Sequence, residues 1–318
     1  MQYAKQFLSS EDIRALSKRS DWMGAWMLLH CWGIIFGALA LFGIWPNPLT
    51  FILAVMLIGS RQLGLAILMH EAAHSALFKS RRLNEFAGIW LCGHPILADM
   101  PAYRHYHLAH HRYTQTERDP DLALSLPFPT TRASLIRKFL RDLTGQTGVK
   151  QLVGQIVLWF RMAGDHDAVE EAEAKEKMAQ AFKGLDFGTS LGVNAVIIIA
   201  FGLIGDWWWG LAFWLLPLLT WFQLVLRIRN IAEHGAVEHS ENPLQNVRTT
   251  AAGPLWRLFV APYWVNYHLE HHLVMHLPAR NLPKLHRLMI ERGHGAAMRL
   301  SSSYWSVLGD VGWRRKVR

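Results

Sequence analysis

The hydrophobic pattern of the chain is dominated by long stretches that contain no Asp, Glu, Lys or Arg. Three such stretches, and a fourth that only Arg61 and Gln62 interrupt, cover residues 26–45, 187–205, 207–226 and 49–69. About 20 apolar residues in a helix cross the roughly 30 Å hydrocarbon core of a membrane. The pattern therefore predicts four membrane-spanning helices.

Short connections join these stretches in pairs, at residues 46–48 and 205–206. Connections of this length predict two helical hairpins. We call the more polar segments, residues 70–186 and 227–318, the cap. The predicted fold class is an all-α membrane protein with four transmembrane helices in two hairpins. We treat residues 1–318 as a single integral-membrane domain.

The positions of Lys and Arg predict the orientation in the membrane. Neither short connection contains Lys or Arg, and apart from Arg61 all of these residues lie before, between or after the two hairpins. Because cytoplasmic segments retain positive charge, the cap and both termini are predicted to be cytoplasmic. A charged residue inside a span is unfavourable, so Arg61 is expected to face protein or water.

The composition agrees with a membrane protein and argues against other classes. Hydrophobic residues make up 51% and charged residues 18%, and the net charge is +9. This charge fits anionic lipid or an acidic protein partner, and no basic-aromatic motif indicates nucleic acid. Two cysteines exclude a disulfide framework, and the N-terminus does not resemble a cleavable signal. The mixed charges of residues 164–183 predict a solvated helix, and the basic run at 314–316 predicts a lipid-headgroup contact.

Histidines are the main candidates for chemistry, because many of the 17 occur in three clusters. These clusters are His70 and His74, then His107, His110 and His111, then His268, His271 and His272. Residues spaced by three or four positions share one face of a helix, so each cluster directs two or three imidazoles to one point. Eight imidazoles exceed the capacity of one metal ion, and two metals are therefore expected.

The identity of the metal does not follow from the imidazoles alone, since iron, zinc and copper all bind them. The lipid phase beside the predicted site offers unactivated C–H bonds. Cleaving such bonds requires an O₂-activating metal, which favours iron.

The three boxes, HxxxH, HxxHH and HxxHH, resemble those of the membrane fatty acid desaturase and hydroxylase superfamily in type and order. Asp119-Pro120 after the second box and Leu282-Pro-Lys-Leu-His286 near the C-terminus are also similar to family patterns. Asn230-Ile-Ala-Glu-His234 resembles the family's Asn-x-x-x-His. The resemblance covers roughly residues 20–290.

This resemblance implies nine metal ligands and an outer contact at Asn230, made through water. The implied ligands are His70, His74, His107, His110, His111, His234, His268, His271 and His272. It also implies a cytoplasmic cap that holds two iron ions above a hydrophobic acyl tunnel. Zinc is expected to replace iron on overexpression.

The expected function is an O₂-dependent di-iron oxidoreductase that introduces a double bond into a fatty acyl chain. A hydroxylase or oxygenase acting on fatty acyl chains, sphingolipid or carotenoid on the same scaffold is the alternative, and a smaller amine or amino-acid-like substrate also stays open. The chain lacks haem, iron–sulfur and flavin motifs. An external donor is therefore expected, either a ferredoxin or a small cytochrome with its reductase.

The first box also matches the His-Glu-x-x-His signature of zinc metalloproteases, in which Glu is the general base. An intramembrane zinc protease is therefore a remote alternative of another class. It needs a Leu-Asp-Gly segment that the chain lacks, and it leaves the other two boxes unexplained. We interpret Glu71 as an acceptor that orients a ligand imidazole. Asp119 and Asp121 are candidates for the same role, with a turn at Asp119-Pro120 as the structural alternative.

Overall fold

The computed structural model describes residues 4–164 and 187–312, and this part of the chain is mostly helical. Its α-helices are α1 (Ser10–Leu16), α2 (Asp21–Ile44), α3 (Pro48–Ala73), α4 (Arg81–Phe86), α5 (Met100–Tyr113), α6 (Leu122–Ser125), α7 (Arg132–Leu143), α8 (Gln146–Gly164), α9 (Phe187–Ile204), α10 (Leu216–Leu219), α11 (Trp221–His234), α12 (Pro254–Phe259), α13 (His268–Leu273), α14 (Leu282–Glu291) and α15 (Tyr304–Gly312). Short 3₁₀ or π-helical turns are Ala4–Gln6, Ala87–Gly93, His94–Ile96, Leu211–Leu215, Pro262–Trp264, Ala279–Asn281 and Gly295–Ala297. A two-residue strand β1 (Thr249–Thr250) pairs in parallel with β2 (Leu300–Ser301). The all-α prediction is confirmed for the described residues.

Four helices in the described part are long and apolar enough to cross a membrane. They are α2, α3, α9 and the run Leu211–His234, which ends with α11. The prediction of four spans in two hairpins is therefore confirmed, with α2 and α3 in one hairpin and α9 and the last run in the other.

Local capping sets the start of the first two spans. Helix α2 begins at Asp21, earlier than predicted, because the Ser20 side chain accepts a hydrogen bond from the Met23 backbone N–H. The Asp21 carboxylate also favours the positive end of the helix dipole. Asn47 caps the start of α3: its side chain accepts hydrogen bonds from two backbone N–H groups of the first turn, and Pro48 occupies the first helical position.

The last span continues beyond the predicted end at residue 226 and stops at His234. Its arginines do not end the helix, because each pairs with a carboxylate inside the protein. Arg227 forms an ion pair with Asp142 on α7, and Arg229 Nε donates to Glu233 Oε1 at 2.6 Å. The span therefore carries His234 directly into the cap.

The polar interruption of the second span faces protein, as predicted for Arg61. Arg61 is 2% exposed and Gln62 is fully buried. Gln62 Nε2 donates to the Trp214 carbonyl oxygen at 2.9 Å, and Arg61 donates to the Leu258 carbonyl oxygen.

The end of α3 is fixed by contacts from the cap. Asn84 Nδ2 donates to the Ala72 carbonyl oxygen at 2.8 Å, and Arg104 Nε donates to the Ala73 carbonyl oxygen at 2.9 Å. Gly88 allows close approach here, because a Cβ atom at this position would lie 2.5 Å from the Ala72 Cβ. These contacts hold the end of the helix that carries the first histidine box.

The N-terminal segment packs against the C-terminal part of the cap. Ala4 and Leu8, which precede α1, share a buried cluster with apolar residues of α13, α14 and the segment before β1, and Ile13 and Leu16 of α1 pack against it. The pair Arg292 and Asp12 lies at 2.8 Å, and Asn281 Nδ2 donates to the Leu16 carbonyl oxygen at 2.7 Å. The predicted charged helix over 164–183 lies outside the described residues apart from position 164. The basic run at 314–316 also lies outside them.

Candidate metal centre

The structure gathers the nine predicted ligands into two adjacent groups. We call His70, His74, His107, His111 and His271 the five-histidine group, and His110, His234, His268 and His272 the four-histidine group. Within each group, one nitrogen of every ring lies within 4.8 Å of those of the others. All nine residues are thus brought together as predicted, while their binding of metal stays a prediction.

The second and third boxes are each divided between the two groups. In α5, His107 and His111 point to the five-histidine group, whereas His110 points to the four-histidine group. In α13, His268 and His272 point to the four-histidine group, whereas His271 points to the five-histidine group. A separation of four residues keeps two side chains on one face, and the third residue lies at its edge. The second and third boxes therefore each contribute to both groups, whereas both histidines of the first box belong to the five-histidine group.

Hydrogen bonds of the Thr249 side chain position the short helix α13. The Thr249 side chain in β1 accepts a hydrogen bond from the Leu269 backbone N–H at 3.2 Å and donates its own hydroxyl to Glu270. Glu270 is fully buried, and its Oε1 lies 2.6 Å from His286 Nδ1. The two-residue strand pair thus fixes the helix that supplies three candidate ligands.

Ring nitrogens converge in both groups. In the five-histidine group, His111 Nε2 lies 2.9 Å from His107 Nε2 and 3.0 Å from His271 Nε2. In the four-histidine group, His268 Nε2 lies 2.8 Å from His234 Nε2. Such convergence of lone pairs is favourable when a cation lies between them.

Two histidines of the four-histidine group are oriented through Nδ1. His110 Nδ1 lies 2.8 Å from Asp119 Oδ1, and His272 Nδ1 lies 3.2 Å from Thr114 Oγ1. The Thr114 hydroxyl donates to the His110 carbonyl oxygen at 2.7 Å, so it accepts from His272. In both rings Nε2 is left to face the other imidazoles, which is the arrangement expected of metal ligands.

Burial keeps most of these rings neutral. Desolvation, reinforced by the neighbouring imidazoles, lowers the pKa of His107, His111 and His271 well below the usual value. The pKa of His74 falls to about 3, mainly by desolvation. Desolvation also opposes the charged form of His110, but the Asp119 hydrogen bond and the charge of Asp121 outweigh it and raise its pKa. A neutral imidazole has a lone pair available for a metal.

The donor set fits a pair of metal ions. Nε2 of His70, His74 and His272 is buried and has no hydrogen-bond partner in the described part of the chain. Burying a polar atom without a partner is unfavourable by about 1–3 kcal/mol. Metal binding would satisfy these atoms, and five and four imidazoles match two sites better than one.

The predicted outer contacts are placed differently from one another. Asp119 hydrogen-bonds the candidate ligand His110 directly, as predicted. Asp121 Oδ2 is farther away, at 3.7 Å from His110 Nδ1, and Asp121 accepts a hydrogen bond from the Tyr106 hydroxyl. Glu71 Oε1 lies 3.6 Å from His70 Nδ1, and its Oε2 accepts the Ala279 backbone N–H at 2.8 Å. Glu71 thus mainly ties the C-terminal segment to α3.

Asn230 borders a small polar cavity of about 40 Å³ beside the four-histidine group. The cavity is lined also by His110, His234, Asp119 and Glu233. A cavity of at least roughly 10–15 Å³ accommodates a water molecule. The space therefore suits the predicted contact through water.

Several residues near the site were not predicted from the sequence. The Tyr103 ring stacks on His107 with centroids 5.0 Å apart, and Glu233 Oε2 lies 3.6 Å from His268 Nε2. The available signal was adjacency, since Glu233 precedes His234 and Glu270 lies inside the third box. Tyr103 gave no such signal, because its role depends on the helical register of α5.

A larger cavity of about 260 Å³ lies beside the centre. Its walls include His70, Tyr103 and Arg229, together with apolar residues of α3, α8 and the last span. Gln151, Gln155 and Gln223 also line it. The cavity thus joins the candidate metal centre to the apolar part of the molecule.

A sequence profile described as fatty acid desaturase matches residues 45–302. The chain belongs to this family. The matched range includes all nine candidate ligands, and the predicted resemblance is therefore confirmed.

Two curated relatives in this family are enzymes. Dihydrorhizobitoxine desaturase of Bradyrhizobium elkanii is 27% identical over 260 residues, which cover 78% of this chain and 68% of the relative. Beta-carotene ketolase of Paracoccus sp. (strain PC1) is 23% identical over 268 residues, covering 81% of this chain and 88% of the relative. Family and relatives support an oxidoreductase of the lipid-modifying desaturase or oxygenase type. With the four apolar helices, family membership also indicates an integral membrane protein. The protease alternative gains no support.

Proposed function

We propose that the chain is an O₂-dependent di-iron oxidoreductase that introduces a double bond into a fatty acyl chain held beside the metal centre. The observation that carries this proposal is the shared wall between the candidate centre and the 260 Å³ cavity, where His70 and Tyr103 line the cavity. Family membership supports the reaction type.

The two histidine groups would each hold one iron ion. When bound and reduced, the iron pair supplies with O₂ an oxidant strong enough to remove hydrogen from an unactivated methylene. Zinc is expected to compete for the same imidazoles when the chain is overexpressed.

The residues around the cavity position the substrate and limit access of water. Apolar side chains such as Ile67, Leu152 and Phe222 line the cavity and would contact a hydrocarbon chain. Tyr103 stacks on His107 and separates the larger cavity from the small polar one. A substrate held in the larger cavity would therefore meet the five-histidine side first.

We further propose that the cap and both termini are cytoplasmic, because Lys and Arg are absent from the short connections between paired spans. The electron donor is then a soluble or membrane-bound cytoplasmic protein, a ferredoxin or a small cytochrome with its reductase. The net charge of +9 would attract an acidic donor.

A second candidate substrate is a chain that carries a polar group, such as an amino-acid-like metabolite. Three glutamines and Arg229 line the larger cavity, which gives it more hydrogen-bonding groups than a simple hydrocarbon needs. The name of the relative from Bradyrhizobium elkanii also points to a substrate other than a fatty acid. Hydroxylation of an acyl chain stays an alternative outcome on the same scaffold.

The test is mass spectrometry of lipids and soluble metabolites from cells that express the chain or its His271→Ala variant. Loss of two hydrogens from an acyl lipid in the active strain alone supports the proposal, and gain of one oxygen supports the hydroxylase alternative. A change confined to soluble metabolites favours the polar substrate. Identical profiles in both strains, with the protein present in the membrane and iron-loaded, would contradict all three.

A further inference from the structure

A third cavity, of about 400 Å³, lies away from the candidate metal centre. This groove runs between α2 and the segment 254–264, and its lining includes Trp26, His30, Arg61, Arg257, Tyr263 and Trp264. Arg61 precedes His70 by nine residues, which places the two about 180° apart around α3 at roughly 100° per residue. The groove therefore lies on the opposite face of α3 from the metal centre and its cavity.

The guanidinium group of Arg61 has fewer hydrogen-bond acceptors around it than that of Arg248, the other buried arginine of the described residues. Within the described residues, Arg61 and Arg248 are the two buried arginines, at 2% and 1% exposure. Arg248 donates through its terminal nitrogens to four backbone carbonyl oxygens at the end of α11. Arg61 donates to one, that of Leu258. Nε of both side chains is buried without a partner, so the difference lies in the terminal nitrogens.

No carboxylate compensates Arg61 either. Among the described residues, no Asp or Glu oxygen lies within the 4 Å ion-pair distance of its guanidinium, whereas Arg227 and Arg229 in the last span each have a carboxylate partner. The nearest compensation is the Tyr263 ring, whose centroid is 5.9 Å from Arg61 Cζ. A buried charge without an opposite charge is strongly unfavourable, particularly in a membrane-spanning helix.

The remainder of the groove is suited to an anion. His30 Nδ1 lies 3.1 Å from the Tyr263 hydroxyl, and the exposed Arg257 stands on the other wall. No acidic side chain of the described residues lines the groove. Trp26 and Trp264 add aromatic surface that packs against a hydrocarbon chain.

The position of the groove restricts the ligand to an amphiphile. It opens along the exposed side of α2, where Trp26 is 53% exposed, and this side faces lipid when α2 spans the membrane. The lining residues of α2 run from Met23 to Ile34, which corresponds to about 16 Å along the helix axis. A soluble anion would not partition there. We propose that the groove binds the net anionic headgroup of a membrane amphiphile, either a phosphodiester without a neighbouring cation or a carboxylate, with Arg61 as its counter-ion.

The experiment measures lipid retention by native mass spectrometry of the full-length protein after purification in detergent. The probes are phosphatidylglycerol, phosphatidylcholine with the same acyl chains, and oleate. We expect one phosphatidylglycerol or one oleate per chain, with phosphatidylcholine retained more weakly. Retention of phosphatidylglycerol identifies a phospholipid headgroup, and retention of oleate alone identifies a free carboxylate.

Charge substitutions then test the role of Arg61. Arg61→Gln keeps a donor for the Leu258 carbonyl oxygen but removes the charge, and it should weaken retention of the anionic probe about 10-fold or more. Arg61→Lys should recover part of the binding. Arg287→Gln on α14 makes the same change in net charge at an exposed position outside the groove, and it should have no effect.

A variant that leaves Arg61 in place covers the case in which Arg61→Gln fails to fold. Ile34→Trp would fill the groove, and its retention of the anionic probe should fall while far-UV circular dichroism stays unchanged. Equal retention by the wild type, Arg61→Gln and Ile34→Trp would overturn the proposal. So would a wild type that retains phosphatidylcholine as well as phosphatidylglycerol, or none of the probes.

Discussion

The two histidine groups are built from the same motifs but have different surroundings. The five-histidine group contacts the aromatic ring of Tyr103 and the larger, mostly apolar cavity. The four-histidine group borders the small polar cavity, where Asp119, Asn230 and Glu233 lie. It has one imidazole fewer than the five-histidine group.

This difference indicates that the two groups would bind metal with different numbers of free coordination positions. A site with five imidazoles leaves few positions for other ligands, whereas a site with four leaves room for an exchangeable one. Near the four-histidine group, the Asp119 carboxylate hydrogen-bonds His110 and helps to raise its pKa. We therefore expect changes in the four-histidine group to affect metal retention more than equivalent changes in the five-histidine group.

The largest effect is expected from removal of a ligand in either group. His110→Ala, His234→Ala and His271→Ala should each abolish turnover, because each removes an imidazole from a candidate site. His234→Ala leaves three imidazoles in its group and should lose one metal equivalent, whereas His271→Ala leaves four and should retain more metal. Elemental analysis of the purified variants measures this difference. Activity in any of the three variants would remove that residue from the ligand set, and equal metal loss would remove the contrast between the groups.

Asp119→Asn tests the carboxylate side of the comparison. The amide cannot accept a charge-assisted hydrogen bond from His110, which is 2.8 Å away in the native protein. Metal affinity of the four-histidine group should fall about 10- to 100-fold, the range typical of lost outer partners. Competition with a chelator measures the affinity. The matched control is Asp121→Asn, whose carboxylate is farther from the ring and should matter less.

Asn230→Ala tests whether the polar cavity supports an exchangeable position. We expect both metals to be retained and turnover to fall about 10- to 100-fold, because the side chain would act through water. Metal content and turnover are measured on the same preparation. Loss of a metal equivalent would instead make Asn230 a direct ligand. A variant with unchanged metal content and rate would show that the match to the Asn-x-x-x-His pattern has no functional meaning.

Thr114→Val should have the smallest effect. The substitution preserves the shape of the side chain but removes the acceptor for His272 Nδ1. One neutral hydrogen bond contributes about 0.5–1.5 kcal/mol, which corresponds to a few-fold change in metal affinity. Thr116→Val is a suitable control, because its hydroxyl donates to the Tyr113 carbonyl oxygen and contacts no candidate ligand. A loss as large as that of Asp119→Asn would mean that the ring orientation of His272 is decisive.

Much of this arrangement could be predicted from the sequence, because it depends on local spacing. The four spans follow from length and lack of charge, and the histidine boxes from helical periodicity. The helix of the last span continues past the predicted span end at residue 226, since Arg227 pairs with Asp142 and Arg229 with Glu233. Asp142 lies far from Arg227 in sequence, and the inward direction of Glu233 depends on the helical register of α11.

The division of the boxes between two groups was also beyond prediction. Spacing shows that His107, His110 and His111 lie near one another, but not that His110 turns towards His234. That assignment depends on how α5, α11 and α13 pack in three dimensions. The same holds for Tyr103, which becomes visible beside His107 only when the register of α5 is known.

Helix α3 runs without a break to His70, and the last apolar run, interrupted at Thr220, ends at His234 beside the candidate metal centre. A helix whose apolar length does not match the bilayer adjusts by tilting. Any tilt of one span relative to the other changes the distance between the imidazoles at their ends. A change in bilayer thickness would therefore be expected to change the spacing of the two histidine groups, and acyl chains of the kind that the enzyme is proposed to modify help to set that thickness.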